Sequence, residues 1–202
     1  MKIGVLASGG GTNLQALLDA QISGALAPGQ IVVVGVNVEG CGALDRAQKA
    51  EVPTFCLSHK GFADRSAFDA ALAAELGRFD VQCLVLAGFM RILTPGFLES
   101  FDHGVINIHP ALLPAFPGIH AQKQAFDYGV KFAGCTVHYV DGGVDSGPII
   151  AQAVVPVLPD DTEESLQQRI LGQEHKLFPA TVQQVAAGRV SRVGRKVFLN
   201  SK

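Results

Sequence analysis

Apolar residues along this chain repeat with two different periods. Lys2-Ile3-Gly4-Val5-Leu6-Ala7, Ile31–Val36, Val81–Ala87 and Val105–Ile108 are short, nearly unbroken apolar runs. Such runs are strands covered on both faces. Between them the spacing becomes helical: Leu14, Leu17, Leu18 and Ile22 fall at i, i+3, i+4 and i+8, and Phe68, Leu72 and Leu76 form a second stripe. Asp64 or Ser66 can cap that second helix. Cys41–Ala50 predicts another short helix, and Thr54-Phe55-Cys56 a brief strand. Strands alternating with helices predict an α/β class, a doubly wound, mostly parallel, Rossmann-like sheet.

After residue 130 the pattern changes. Ala133–Val140 and Pro148–Val157 predict two strands joined by Asp141-Gly142-Gly143-Val144-Asp145-Ser146-Gly147, a loop with three glycines and two aspartates. A helix is expected from near Thr162, with Asp161 as its cap and Glu163 and Glu164 in its first turn. Pro179 should kink or restart that helix, and Gly188 should end it. Val190–Val193 and Lys196–Leu199 flank Gly194-Arg195, a two-residue hairpin turn. No repeat, low-complexity tract or linker breaks the chain, so residues 1–202 read as one domain with an antiparallel C-terminal extension.

In open parallel sheets, ligands bind outside the carboxyl ends of the strands. Three stretches fall at that edge: Gly9–Asn13, Gly88–Arg91 and Asn107–His109. Asn107 and His109 lie two apart on an apolar strand, hence on one side of it. Pro110, Pro114, Pro117 and Gly118 then carry the chain away as a stiff, irregular segment. His109 is thus either a satisfied core histidine or half of a site. Asp145, in the flexible glycine loop, is either a solvated turn residue or the carboxylate that tunes it. Gly9-Gly10-Gly11-Thr12-Asn13 joins a strand to a helix N-terminus, which makes it either a tight turn or an anion-binding loop. It does not fit a dinucleotide fingerprint, because Leu14 stands where the third glycine belongs, and it lacks the Gly-Lys-Ser/Thr of a Walker loop. Glu174 lies on the apolar face of its helix, four after Ile170 and three before Leu177, where a carboxylate needs an ion-pair partner or a ligand. Arg91 is either a surface charge or part of the cleft.

With 48% hydrophobic and 17% charged residues, a disordered or fibrous chain is excluded. The net charge of −2 offers no global attraction to nucleic acid or an anionic membrane. No apolar run spans a bilayer, and the N-terminus enters a strand directly, so a cytoplasmic location is expected. Cys41, Cys56, Cys83 and Cys135 are scattered and read as reduced core thiols. His103, His109, His120, His138 and His175 show no metal-binding spacing, so no metal is expected. No nucleophile elbow or Cys–base pair is present either.

Ser8–Gln15, Leu86–Leu93, Asn107–Pro114, His138–Ile149 and Gln173-Glu174-His175 together resemble the phosphoribosylglycinamide formyltransferases, folate-dependent enzymes of purine synthesis. The Asn-x-His strand with an Asp loop is shared by the wider formyltransferase superfamily, and the glycine loop ending in Thr-Asn points to the glycinamide branch. Ala111 stands where many relatives have Ser, and Ala115 where some have Lys. The resemblance implies a formyltransferase fold whose N-terminal part binds the phosphorylated substrate and whose C-terminal part binds folate. It implies formyl transfer from 10-formyltetrahydrofolate to phosphoribosylglycinamide, with Asn107, His109 and Asp145 as the catalytic set. Gly11, Thr12, Asn13 and Glu174 would hold phosphoribosylglycinamide. Arg65, Met90, Arg91, Ile92, Leu93, Asn107, Asp141, Gly142, Gly143, Val144 and Asp145 would line the folate pocket. Alternatives are a phosphate-ligand binding module without catalysis, and another superfamily enzyme such as a formyltetrahydrofolate hydrolase, for which a regulatory N-terminal domain would be expected. A methionyl-tRNA formyltransferase would be expected to carry a longer, nucleic-acid-binding C-terminal domain, and a nucleotide-sugar formyltransferase has no use for the Thr12-Asn13 loop.

Overall fold

The computed structural model describes residues 1–200; Ser201 and Lys202, the end of the expected 1–202 domain, lie outside the described residues. In chain order the elements are β1 (Lys2–Ala7), α1 (Thr12–Ile22), β2 (Gln30–Val36), α2 (Gly42–Lys49), β3 (Thr54–Cys56), α3 (Arg65–Gly77), β4 (Cys83–Leu86), a single-turn α4 (Pro95–Leu98) and β5 (Val105–His109). They continue as α5 (Ala121–Tyr128), β6 (Phe132–Tyr139), β7 (Ile149–Pro156), α6 (Glu163–Ala186), β8 (Val190–Val193) and β9 (Lys196–Leu199). Seven strands form one sheet in the order β3-β2-β1-β4-β5-β6-β7, and β8 and β9 form a separate hairpin. β1 to β5 run parallel, whereas β6 and β7 pair antiparallel. The α/β class, the mostly parallel doubly wound sheet and the antiparallel extension are as the sequence predicts.

The chain winds outward in both directions from β1 and β4, so the loops after these neighbours leave toward opposite faces. A crevice opens between them at the carboxyl edge. Strand alternation divides the core. Ile3, Val5, Ala7, Val85, Ile106, Ile108, Cys135 and Val137 pack with Leu14, Leu17, Leu18, Ile170, Phe178 and Val182 of α1 and α6. Leu6, Leu84, Leu86 and Val105 pack on the other face with Phe68, Leu72 and Leu76 of α3 and Phe97 of α4. Because Ile106 and Ile108 face α6, Asn107 and His109 must face the α3 side. There α3 and α4 cover only part of the sheet, which leaves the carboxyl ends of β4 and β5 open.

Four local expectations are corrected. Ile22 is 73% exposed, and Leu26 takes the buried place beyond α1 instead. Thr162, not Asp161, caps α6: its hydroxyl accepts from Ser165 N–H, and the Ser165 hydroxyl accepts in return from Thr162 N–H. Asp161 instead takes a two-pronged bond from the Arg169 guanidinium, at 2.6 Å on each oxygen. Pro179 does not restart the helix, which runs unbroken from Glu163 to Ala186. Phe178 beside it is fully buried in the core, so packing supports the helix across the missing backbone bond. Lastly, all four cysteines are free thiols, and Cys83 and Cys135 belong to the core, but Cys56 is exposed at the end of the short edge strand β3.

Among the described residues no helix is long and apolar enough to cross a membrane. Phe178→Ala should cost about 3–5 kcal/mol through lost burial and a residual cavity. The urea midpoint should fall by the matching amount with the slope unchanged.

Candidate active site

Gly11 is the N-cap of α1, with φ of 74°. A Cβ at that position would lie 2.7 Å from the Ala43 Cα, so only glycine lets the loop rest on α2. The first turn of α1 contains no acidic residue, and no side chain caps it. Its free N–H groups and positive dipole end therefore face outward, as an anion-binding cradle requires. Arg46 on α2 braces the loop from behind, its Nε donating to the Gly10 carbonyl at 2.8 Å. Neither Arg46 nor its contact had a sequence signal beyond the charge itself.

Asn13, in the same turn, donates from Nδ2 to Glu174 Oε2 at 2.7 Å. Glu174 is only 4% exposed, and its partner is this neutral amide, not the cation of a buried ion pair. Burial pushes its carboxyl pKa up, with the Asn13 bond acting in the opposite direction. Asn13 Oδ1 and His175 Nε2 are buried without a partner among the described residues. The Asn13 oxygen, unsatisfied in the first turn of a helix, is a group that a polar ligand would complete. His175 belongs to the Gln173-Glu174-His175 motif but had no assigned part.

Asn107 and His109 project from β5 toward β6, where the antiparallel register sets Asn107 opposite His138 and His109 opposite Thr136. His109 Nδ1 lies 3.3 Å from Asp145 Oδ2, and its Nε2 lies 2.8 Å from the Phe116 carbonyl oxygen. Gly118 N–H donates to the same Asp145 oxygen at 2.7 Å. The proline-rich segment after His109 thus bends back to hold both members of the pair. It is itself anchored by Thr136, whose hydroxyl donates to the Ala111 carbonyl and accepts from Leu113 N–H, and by Gln152, which donates to the Leu113 carbonyl. Phe116, His120 and Asp145 adopt left-handed φ of 55°, 57° and 50°. Non-glycine residues held there are commonest where the surroundings over-determine a site.

The Asp145 loop is tied internally, Asp141 Oδ1 accepting from Gly143 N–H and the Ser146 hydroxyl. The hairpin braces it from outside, because Arg195 on the β8–β9 turn donates to the Ser146 carbonyl. A Cβ on Gly147 would lie 1.7 Å from the Tyr139 carbonyl oxygen, so this loop closes on β6 only through glycine.

A cleft of about 660 Å³ opens in front of these groups. Met90, Arg91, Ile92, Leu93, Asn107, His109, Asp141, Gly143, Val144 and Asp145 line it, together with Ile119, His120 and His138. Met90, Ile92, Ile119 and Val144 expose apolar surface at its walls. That volume and lining suit a drug-sized, partly aromatic ligand. Gly142 turns into a neighbouring cavity instead. Arg65, expected in the pocket, stands exposed at the start of α3 and does not line the cleft. Arg65 is the first residue of α3, beside the cap Asp64, which accepts from Ala67 N–H at 2.8 Å; this first turn stands exposed ahead of Phe68 and Asp69, where the buried part of the helix begins.

Ser8 joins the two halves. Its N–H donates to the Gly88 carbonyl, and its hydroxyl accepts from Met90 N–H at 2.8 Å and donates to Asn37 Oδ1 at 2.6 Å. The residue before the anion cradle therefore pins the loop that walls the cleft.

A formyl transferase family model matches residues 1–182. The chain is 45% identical over 201 residues to the phosphoribosylglycinamide formyltransferase of Mycobacterium tuberculosis, covering 100% of this chain and 92% of that one. It is 49% identical over 195 residues to the trifunctional purine biosynthetic protein adenosine-3 of Drosophila pseudoobscura pseudoobscura, covering 95% of this chain but spanning only 14% of that protein's length. The crystal structure of glycinamide ribonucleotide transformylase 1 from Symbiobacterium toebii superposes with a TM-score of 0.96 at 47% identity, covering 100% of this chain and 94% of that one.

A carboxyl that binds its proton more tightly in the folded than in the unfolded chain lowers stability as the pH rises above the ordinary carboxylate range. Glu174→Gln lacks that cost and keeps an acceptor for Asn13. The variant should be more stable than wild type near about pH 7.5, with the gap closing as the pH falls to about 4. Urea unfolding at several pH values measures it, and a gap that widens toward acid contradicts the raised pKa.

Proposed function

The chain belongs to the formyl transferase family, and we propose that it transfers the formyl group of 10-formyltetrahydrofolate to the primary amine of phosphoribosylglycinamide, a step of purine synthesis in the cytoplasm. The observation that carries this reading is the convergence on one sheet edge of an anion cradle, an apolar cleft and the Asn107–His109–Asp145 cluster.

In this reading the substrate phosphate sits on the backbone N–H groups of Gly11, Thr12 and Asn13, and Glu174 accepts from the ribose hydroxyls. The pteridine end of the folate lies between Met90–Leu93 and Asp141–Asp145, placing its formyl group beside Asn107 and His109. The substrate amine attacks the formyl carbon, and negative charge develops on the formyl oxygen. Asn107 Nδ2–H and the His109 ring N–H donate to that oxygen, which replaces the Phe116 carbonyl as the acceptor for the histidine. As the tetrahedral intermediate collapses, the C–N bond to folate breaks and His109 gives the departing nitrogen a proton. The attacking nitrogen loses one to water held at Asp145, so the proton count balances. Asp145 keeps the ring oriented throughout. Transfer is direct, with no enzyme nucleophile and no metal.

A spectroscopic assay with 10-formyltetrahydrofolate and phosphoribosylglycinamide tests the reaction, and absence of turnover in the wild type refutes it. His109→Ala and Asp145→Ala should each lower kcat by at least about 10²–10³-fold while ribonucleotide binding survives; a near-normal kcat in either refutes the assigned roles. Asn13→Asp places a second carboxylate at the cradle and should chiefly raise KM for the phosphorylated substrate. Turnover should persist in excess chelator, and its loss there would require a metal.

A further inference from the structure

An oxyanion is stabilised by the N–H end of an amide and repelled by the C=O end, so Asn107 serves only if its side chain lies the right way round. Nothing on β5 itself decides this. The deciding contact comes from the facing strand, where His138 Nε2 lies 3.2 Å from Asn107 Nδ2. His138 Nδ1 lies 2.9 Å from the Tyr139 carbonyl oxygen. A carbonyl can only accept, so Nδ1 carries the proton and Nε2 of the neutral ring presents a lone pair. That lone pair accepts one Nδ2–H of Asn107 and leaves the other for the cleft.

We propose that His138 is a positioning residue for the transfer: its Nε2 lone pair locks the Asn107 amide with N–H toward the reacting oxygen. The role rests on the function proposed above. If Nε2 were protonated it would become a donor, Asn107 would turn its oxygen toward the ring, and the two ends of the amide would exchange places. The surroundings hold the ring neutral. His138 is 1% exposed, and burial pushes its pKa down. His109 acts in the same direction, while the Tyr139 carbonyl, Asp145 and Asp141 oppose it. Asp145 Oδ1 approaches Nε2 only to 3.7 Å, beyond hydrogen-bond reach, while Oδ2 takes His109 and Gly118 N–H. The two histidines thus have different tasks, His109 giving a proton and His138 accepting a hydrogen bond.

Asparagine and glutamine separate the two ring nitrogens. An asparagine amide N–H reaches the place of Nδ1, and a glutamine carbonyl oxygen reaches that of Nε2. His138→Asn keeps the bond to Tyr139 but loses the acceptor, so kcat should fall about tenfold, with KM for both substrates changed less than about twofold. His138→Gln keeps the acceptor and should stay within about threefold of wild type. In the Asn107→Ala background, His138→Asn should cost nothing further. Equal losses in H138N and H138Q, or the same loss with and without N107A, overturn the proposal in favour of a packing role. Imidazole ¹⁵N–¹H spectra of the wild-type protein alone, near about pH 7.5, should show His138 as the neutral Nδ1–H tautomer. An imidazolium or an Nε2–H tautomer overturns it too. A wild type inactive on phosphoribosylglycinamide refutes the reaction instead, and the spectra still judge the tautomer.

Discussion

The register of β5 against β6 is the constraint on which the site depends. Asn107 pairs with His138 and His109 with Thr136 across the one place where a parallel sheet meets an antiparallel strand. All four side chains share a face because side chains alternate along a strand. A slip of one residue would exchange them for Ile106, Ile108 and Val137, which pack under α6. The apolar side of these strands therefore fixes the polar side. Burying Ile106, Ile108, Cys135 and Val137 beneath α6 is the free-energy term that aims Asn107 and His109 at the cleft.

Polar contacts then refine what the register allows. Thr136 and Gln152 tie down the proline-rich segment, which returns a carbonyl to His109 and an N–H to Asp145. The C-terminal hairpin looks remote in sequence, yet Arg195 reaches the Ser146 carbonyl and steadies the Asp145 loop. The cradle and the cleft share Ser8, so neither loop can shift without disturbing the other. Glu174, held at a cost by burial, and the unpartnered Asn13 oxygen show a pocket whose polar groups are only half satisfied by the protein. Such groups are retained where a ligand completes them.

Much of this was legible from local pattern. Unbroken apolar runs and helical stripes marked the sheet and its helices, and the spacing of Asn107 and His109 placed both on one side of a strand. Gly11 could be read as a turn residue, since glycine takes positive φ with no Cβ penalty. Errors arose where the surroundings overrule local preference. Ile22 sits at the last turn of α1, beyond the reach of the core, and α6 continues through Pro179 beside the fully buried Phe178.

The sequence by itself determined the class of fold, the strand carrying the Asn-x-His pair and the family to which the chain belongs, because these rest on periodicity and on contiguous motifs. Tertiary structure alone decided which atoms meet. Asp145 lies thirty-six positions beyond His109, and Glu174 lies 161 beyond Asn13. His138 faces Asn107 only through the antiparallel register, and Arg65 stands exposed in the first turn of α3, outside the cleft. Hydrogen-bond partners between distant segments depend on strand order and helix facing, and no local pattern encodes a distance.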